Sequence, residues 1–229
     1  MRSTVRSGSG ALLMAVIIPV VVGLLACMPV PIGDPERSRI DPAISGVWVL
    51  LGGEEEPEFY AFEPYDKRTW LLTGVPVEEG NGADLSDYSF DSYANIADLM
   101  EKEPIGDNGV TASETVVYKV WRTKLGGQWF MTWETLAPLA EDDYAPKFWY
   151  VFRIDKPDEN TLDLRLVNGE DAIFEGVEKT RRAYERVLKK NARNEELFSE
   201  DPIRLIRVKP EHRAFVSELA REVISTDEQ

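Results

Sequence analysis

The chain holds one cysteine, Cys27, and one histidine, His212, against 41 carboxylate side chains. That inventory narrows the chemistry at once. A triad needs an imidazole within hydrogen-bond reach of a hydroxyl or thiol, and His212 falls on the polar side of the stretch "EHRAFVSELAREV", where a solvated surface role is expected. Histidine and cysteine are also the usual zinc ligands, and no cluster of them exists to form such a site. The sequence contains no Gly-x-Ser-x-Gly elbow, phosphate-cradling glycine loop or His-Glu-x-x-His pattern. Two carboxylates at a defined separation can hydrolyse a glycoside, but the abundance of acids singles out no pair. The stretch from residue 78 to 110 collects Glu78, Glu79, Asp84, Asp87, Asp91, Asp98, Glu101, Glu103 and Asp107. Such hard oxygen ligands suit Ca²⁺, yet EF-hand spacing is missing and a solvated acidic face is the favoured reading. No enzymatic activity, cofactor or metal is expected.

The position of Cys27 carries more information than its reactivity. "MRSTVRSGSG" bears two positive charges and no negative one, and "ALLMAVIIPVVVGLLA", residues 11 to 26, is apolar throughout. As a helix this run would span about 24 Å, short of the roughly 30 Å hydrocarbon core of a bilayer, and Pro19 and Gly23 weaken it further. A cleaved export signal, residues 1–26, is therefore expected rather than a permanent span.

"LLAC", Leu24 to Cys27, resembles the lipobox of bacterial lipoproteins, where an apolar residue at −3 and a small residue at −1 precede an obligatory cysteine. The resemblance implies that diacylglycerol alkylates the Cys27 thiol, that cleavage follows Ala26, and that the new amino group is acylated. Two or three chains make such an attachment effectively permanent, at ~0.8 kcal/mol per buried CH₂. It also implies a cell-envelope address. Because Met28 rather than aspartate follows the cysteine, the outer membrane, facing the periplasm, is expected in a cell that has one. Residues 28 to 42 contain Pro29, Pro31, Pro35 and Pro42 with little to bury. Together with Cys27 they are expected to form a tether, residues 27–42, that reaches ~45 Å if fully extended.

From residue 43 the pattern belongs to a β domain, residues 43–229. "GVWVLL" is one strand, and "EFYAFEPYDKRTWLLTGV" reads as two strands about the turn Pro64 to Lys67. "TVVYKVWRTKLGGQWFMTWET" is a hairpin through Gly126-Gly127, where glycine supplies the positive φ of a tight turn. "KFWYVFRIDKPDENTLDLRLVN" is a second hairpin, with Leu162, Leu164 and Leu166 alternating against Asp163 and Arg165. Adding "PIRLIRV" brings the count to about eight strands, almost all joined as neighbours. A closed up-and-down antiparallel barrel removes the edges such a meander would expose. Helical spacing places Val177, Tyr184, Val187, Leu188 and Leu197 in a helix before the last strand, and Phe215, Val216, Leu219 and Val223 in a terminal helix packed on the barrel. The short helix "SYANIADLM" lies in the acidic insertion 78–110, which is expected to cover one mouth of the barrel.

"DPAISGVWVL" resembles the opening of lipocalins, in which Gly-x-Trp, here Gly46-Val47-Trp48, begins the first strand. The strand series and terminal helix look like a group of bacterial lipoproteins with lipocalin-like (calycin-type) barrels. The resemblance implies that an arginine of the last strand covers the Trp48 indole. Arg204 and Arg207, three apart, face opposite sides of that strand, and Arg204 is taken as the closure residue.

The net charge of −15 repels phosphate backbones over roughly 10 Å at 0.1 M salt, so nucleic acid is not an expected partner. Strand tryptophans can line an apolar cavity or fill a small barrel solidly. Trp70, Tyr118, Trp121 and Trp133 are the candidate cavity residues. Two functions follow: an anchored barrel that binds a lipid or another small hydrophobic molecule, or a packed-shut scaffold that meets an envelope protein through its acidic surface.

Overall fold

The computed structural model describes residues 27–52, 56–106, 108–112, 115–137 and 149–226. The export signal expected over residues 1–26 lies outside them. Among the described residues there are nine strands: β1 (Gly46–Leu50), β2 (Glu58–Pro64), β3 (Trp70–Glu79), β4 (Val110–Ala112), β5 (Val116–Leu125), β6 (Gln128–Ala137), β7 (Trp149–Asp155), β8 (Thr161–Leu166) and β9 (Ile203–Arg207). The same residues hold three α-helices: α1 (Tyr93–Lys102), α2 (Arg181–Asn191), which precedes β9, and α3 (Arg213–Thr226), which follows it. Every strand pairing is antiparallel, and β1 pairs with both β2 and β9. With β2 also paired to β3 and β3 to β5, eight strands close into a barrel, and β4 hangs outside on the end of β3. The eight-strand antiparallel barrel expected from the strand pattern is the fold observed; β4, only three residues long, was too short to register as an alternating run.

Period-two alternation explains the two faces of the wall. Trp48, Phe62, Trp70, Leu72, Val120, Met131, Trp133, Phe152, Leu162, Leu164 and Leu205 pack together inside the barrel. Their strand neighbours of opposite parity point outward and are covered twice over. On one flank, Val49, Phe59, Val75 and Val77 lie under α1 and α3, which contribute Ile96, Leu99, Val216 and Leu219. On the other, Phe130 and Val151 lie under α2 through Tyr184 and Leu188. Ser92 caps α1 and Thr180 caps α2, each accepting a hydrogen bond from the backbone N–H three residues on. The β5–β6 hairpin turns through Gly126 (φ 59°) and Gly127 (φ 87°), two left-handed positions in succession, as a type I′ turn requires.

Two expectations are corrected. The acidic insertion does not sit over a mouth: α1 and β4 bury Ile96, Leu99 and Val110 against the outer faces of β1 to β3, because those outward residues are apolar and need a cover. Nor do residues 28 to 42 form a spacer clear of the domain. Met28 is 1% exposed and Ile32 is fully buried. The Ile32 carbonyl accepts hydrogen bonds from Trp121 Nε1 (2.8 Å) and Thr132 Oγ1 (2.7 Å), and Ser38 Oγ donates to the Arg122 carbonyl (2.9 Å). Pro35 begins a 3-10 turn, Pro35–Arg37, capped by Asp34, and the outer wall of β5 and β6 supplies the apolar surface the segment covers.

Candidate functional site

The two ends of the barrel are built differently. At one end, the floor, Trp48 is fully buried and donates through Nε1 to the Ile44 carbonyl (2.7 Å). The register pairs Trp48 with Arg207, and the Arg207 guanidinium lies 4.1 Å from the indole centroid. Its fork also reaches the Ser45 carbonyl (2.9 Å) and the Ala43 carbonyl. Gly46 is the glycine this arrangement requires: its φ is +123°, and a Cβ there would stand 3.0 Å from Arg207 Nη1. The closure residue is therefore Arg207, not Arg204. Parity decides it: Arg207 shares a face with the buried, inward Leu205, whereas Arg204 points outward and forms a bidentate pair with Asp163 on β8 (2.8 and 3.0 Å). Trp70 completes the floor, fully buried, its Nε1 donating to Ser45 Oγ (3.0 Å). Arg122 seals the same end through Asp41 (2.7 Å).

Of the remaining cavity candidates, Tyr118 and Trp133 face inward and Trp121 does not. Trp121 has the opposite parity to Val120 and Tyr118, and it faces outward beneath the N-terminal segment. Tyr118 and Trp133 meet at 5.4 Å between centroids, with Tyr60 5.8 Å from the same indole and Tyr150 6.3 Å from Tyr118. This group lies toward the opposite end, the rim. The Trp133 indole N–H is buried with no hydrogen-bond partner among the described residues. Tyr60 donates to Glu58 Oε2 (2.6 Å). Burial pushes the Glu58 carboxyl up, against the lowering pull of the Tyr60 hydroxyl. Gly74, across from Tyr60 on β3, leaves the carboxylate its space, since a Cβ there would lie 2.8 Å from Glu58 Oε1.

Cys27 stands at this rim. Met28 N–H donates to the Trp149 carbonyl at the start of β7 (2.9 Å), which sets the Cys27 thiol in hydrogen-bond contact with the inward-facing Tyr150 hydroxyl. Burial raises the thiol above its ordinary value, the Tyr150 contact partly opposing it. Burial, and then Cys27, pushes Tyr150 up to about 12, and burial raises Tyr118 further. All three groups are protonated at neutral pH. The two tyrosine hydroxyls can therefore donate hydrogen bonds, so the rim can hold the polar head of a molecule whose apolar part meets Trp133 and its neighbours.

Glu58, Tyr60 and Tyr150 belong to this site and were not among the candidates. The signal for the first two lay in "EFYAF": Glu58 and Tyr60 share the parity of the inward Phe62, and a carboxylate on an apolar face is the kind of departure that marks a site. His212, expected in solvent, is instead shielded, with its Nδ1 2.9 Å from Tyr93 Oη and its Nε2 3.2 Å from Glu101, because α1 packs beside the turn that carries it. Acids of the insertion are engaged locally: Asp98 pairs with Lys102, Asp84 caps a turn, and Glu79 accepts from the Leu85 N–H. Among the described residues, no three cysteine, histidine or acidic side chains converge as metal ligands, and no helix is long and apolar enough to cross a membrane. The architecture is a closed antiparallel barrel compatible with a calycin-like fold, and the chain matches no protein-family model, no curated protein and no solved structure.

Proposed function

We propose that this chain is a lipid-anchored barrel of the cell envelope, attached through Cys27, that receives a lipid or another small amphiphilic molecule at its rim. The observation that carries the reading is the position of Cys27 beside the inward-facing Tyr150. An anchor at that point turns the rim toward the bilayer and the sealed floor away from it. A ligand leaving the membrane then meets the Tyr118 hydroxyl and the Trp133 N–H, which has no partner among the described residues, as donors and Glu58 as a polar partner. Acylation converts the thiol to a thioether, whose sulfur can still accept weakly from Tyr150. A second reading, a packed-shut scaffold, draws on the solid floor, where Trp48, Trp70, Leu72, Val120 and Met131 are fully buried.

Native mass spectrometry of the protein purified from its own membrane separates the two. Co-purification of a lipid that is lost in Tyr118→Ala supports the binding barrel, and a bare mass supports the scaffold. Anchoring is tested apart: Cys27→Ser is expected to leave the precursor uncleaved and unlabelled by a radioactive fatty acid, and label on the mutant would overturn it.

A further inference from the structure

A cleft of about 450 Å³ opens at the floor end of the barrel, between the N-terminal segment, the β5–β6 hairpin and the start of α2. Its charge is opposite to that of the molecule. Arg37, Arg39, Arg122, Lys124 and Arg181 line it against the carboxylates of Asp34 and Glu185, in a chain whose net charge is −15. Both carboxylates are committed to the wall: Glu185 accepts from the Gly33 N–H (3.0 Å), and Asp34 accepts from the Glu36 N–H and lies 3.7 Å from Arg181. Arg122 is held by Asp41. Arg39 and Lys124 are exposed and form no ion pair among the described residues.

The cleft also presents a fixed apolar surface. Trp129 is 37% exposed, and its ring is held by Arg122 (4.3 Å) and Lys124 (5.5 Å). Trp129 is the second residue of β6, on the same face as the buried Met131 and Trp133, so its ring lies at the floor end of the barrel beside the hairpin turn. A neighbouring cleft shares Arg37, Ser38 and Arg39 and adds Lys67 and Arg68, although Arg68 is paired with Glu36.

We infer that this cleft binds a compact anion carrying two or more phosphate or carboxylate groups, with Arg39 and Lys124 as the contacts that neutralise it and Trp129 as the surface it covers. Charge-assisted contacts from guanidinium and ammonium groups suit either acid, and the volume falls in the range of small-molecule sites, roughly 300 to 1,000 Å³. A protein this acidic repels anions elsewhere, so the cleft has a local field of the opposite sign.

Trp129 reports occupancy directly, because it is more exposed than the interior tryptophans. Iodide and caesium quenching of the whole protein are compared at low salt, with Trp129→Phe identifying the component due to Trp129. Iodide is expected to quench that component more strongly than caesium, in spite of the net charge. Inorganic pyrophosphate and citrate are then titrated as separate probes, by protection from iodide and by calorimetry. Saturable protection by pyrophosphate alone identifies phosphate as the recognised group; protection by citrate alone identifies carboxylate. The double variant Arg39→Glu/Lys124→Glu, at exposed positions that form no ion pair among the described residues, is expected to weaken binding at least about ten-fold while leaving the thermal midpoint unchanged. Iodide quenching that neither probe relieves, or a double variant that binds like the wild type, overturns the inference.

Discussion

The floor and the rim of the barrel are made from the same alternating strands and reach opposite solutions. At the floor, the polar groups that close the barrel are matched: Trp48 Nε1 with the Ile44 carbonyl, Trp70 Nε1 with Ser45, Arg207 with two backbone carbonyls, and Arg122 with Asp41. At the rim, the Trp133 indole N–H is buried without a partner among the described residues, Glu58 sits in surroundings that disfavour its charge, and Tyr118 and Tyr150 hold their protons tightly. An unmatched buried donor costs on the order of 1–3 kcal/mol. The contrast teaches that one sheet serves two ends differently: the floor closes the barrel and the rim leaves polar capacity unspent. In the function proposed above, a bound ligand completes these groups.

Substitutions at the two ends test that separation. Trp48→Ala removes one of the floor's two fully buried tryptophans and is expected to cost about 3–5 kcal/mol in a denaturant melt, from lost burial and the cavity left behind. Tyr118→Phe at the rim is expected to leave the midpoint nearly unchanged while reducing the amount of co-purifying ligand. A rim substitution as costly as the floor one would break the comparison.

Arg207→Ala is expected to cost about 1–3 kcal/mol, because it strands the Ala43 and Ser45 carbonyls and uncovers the indole. Arg204→Ala, which removes only an exposed pair with Asp163, is expected to leave the melt where it was. A reversed order would return Arg204 to the closure role.

The smallest expected effect concerns pH. The folded state raises the Glu58 pKa, so it binds the proton more tightly than the unfolded chain. The contribution of Glu58 is then fully present below the unfolded value, about 4.3, and is lost as pH rises through the folded value. Glu58→Gln removes this titration while keeping an acceptor for Tyr60. Relative to wild type, the variant is expected to gain stability as pH rises from about 4 toward neutrality, measured as the difference between paired melts. A flat difference would mean that Glu58 is as well solvated as an ordinary surface acid.

Much of this was legible from residue order because it depends on local periodicity. Alternation fixed on Leu162, Leu164 and Leu166 or on Trp129, Met131 and Trp133 declares a strand wherever it occurs, and Gly126-Gly127 declares the turn between two of them. The stripe Tyr184 and Leu188, like the stripe Val216 and Leu219, declares a helix by its spacing of four or three. Closure into a barrel follows from eight neighbouring strands with apolar residues on one face. In each case the deciding contacts lie within a few residues or between adjacent strands.

Other features depended on partners far away in the chain. The proline-rich segment reads as a tether by composition, and it becomes part of the wall only because Trp121 and Thr132, about 90 and 100 residues on, donate to the Ile32 carbonyl. The outward parity of Trp121 and the inward parity of Arg207 were set by register across the sheet, where a one-residue slip exchanges the two faces. The nearness of Cys27 to Tyr150 rests on the backbone bond from Met28 to Trp149 and on the burial of the Met28 side chain, both set by segments far away in the chain. The order of residues by itself determined the eight barrel strands, the helices and the presence of one cysteine and one histidine. Only the tertiary structure decided which arginine closes the floor, which tyrosines form the rim and where the lone cysteine stands, because those are relations between segments whose sequences carry no mark of each other.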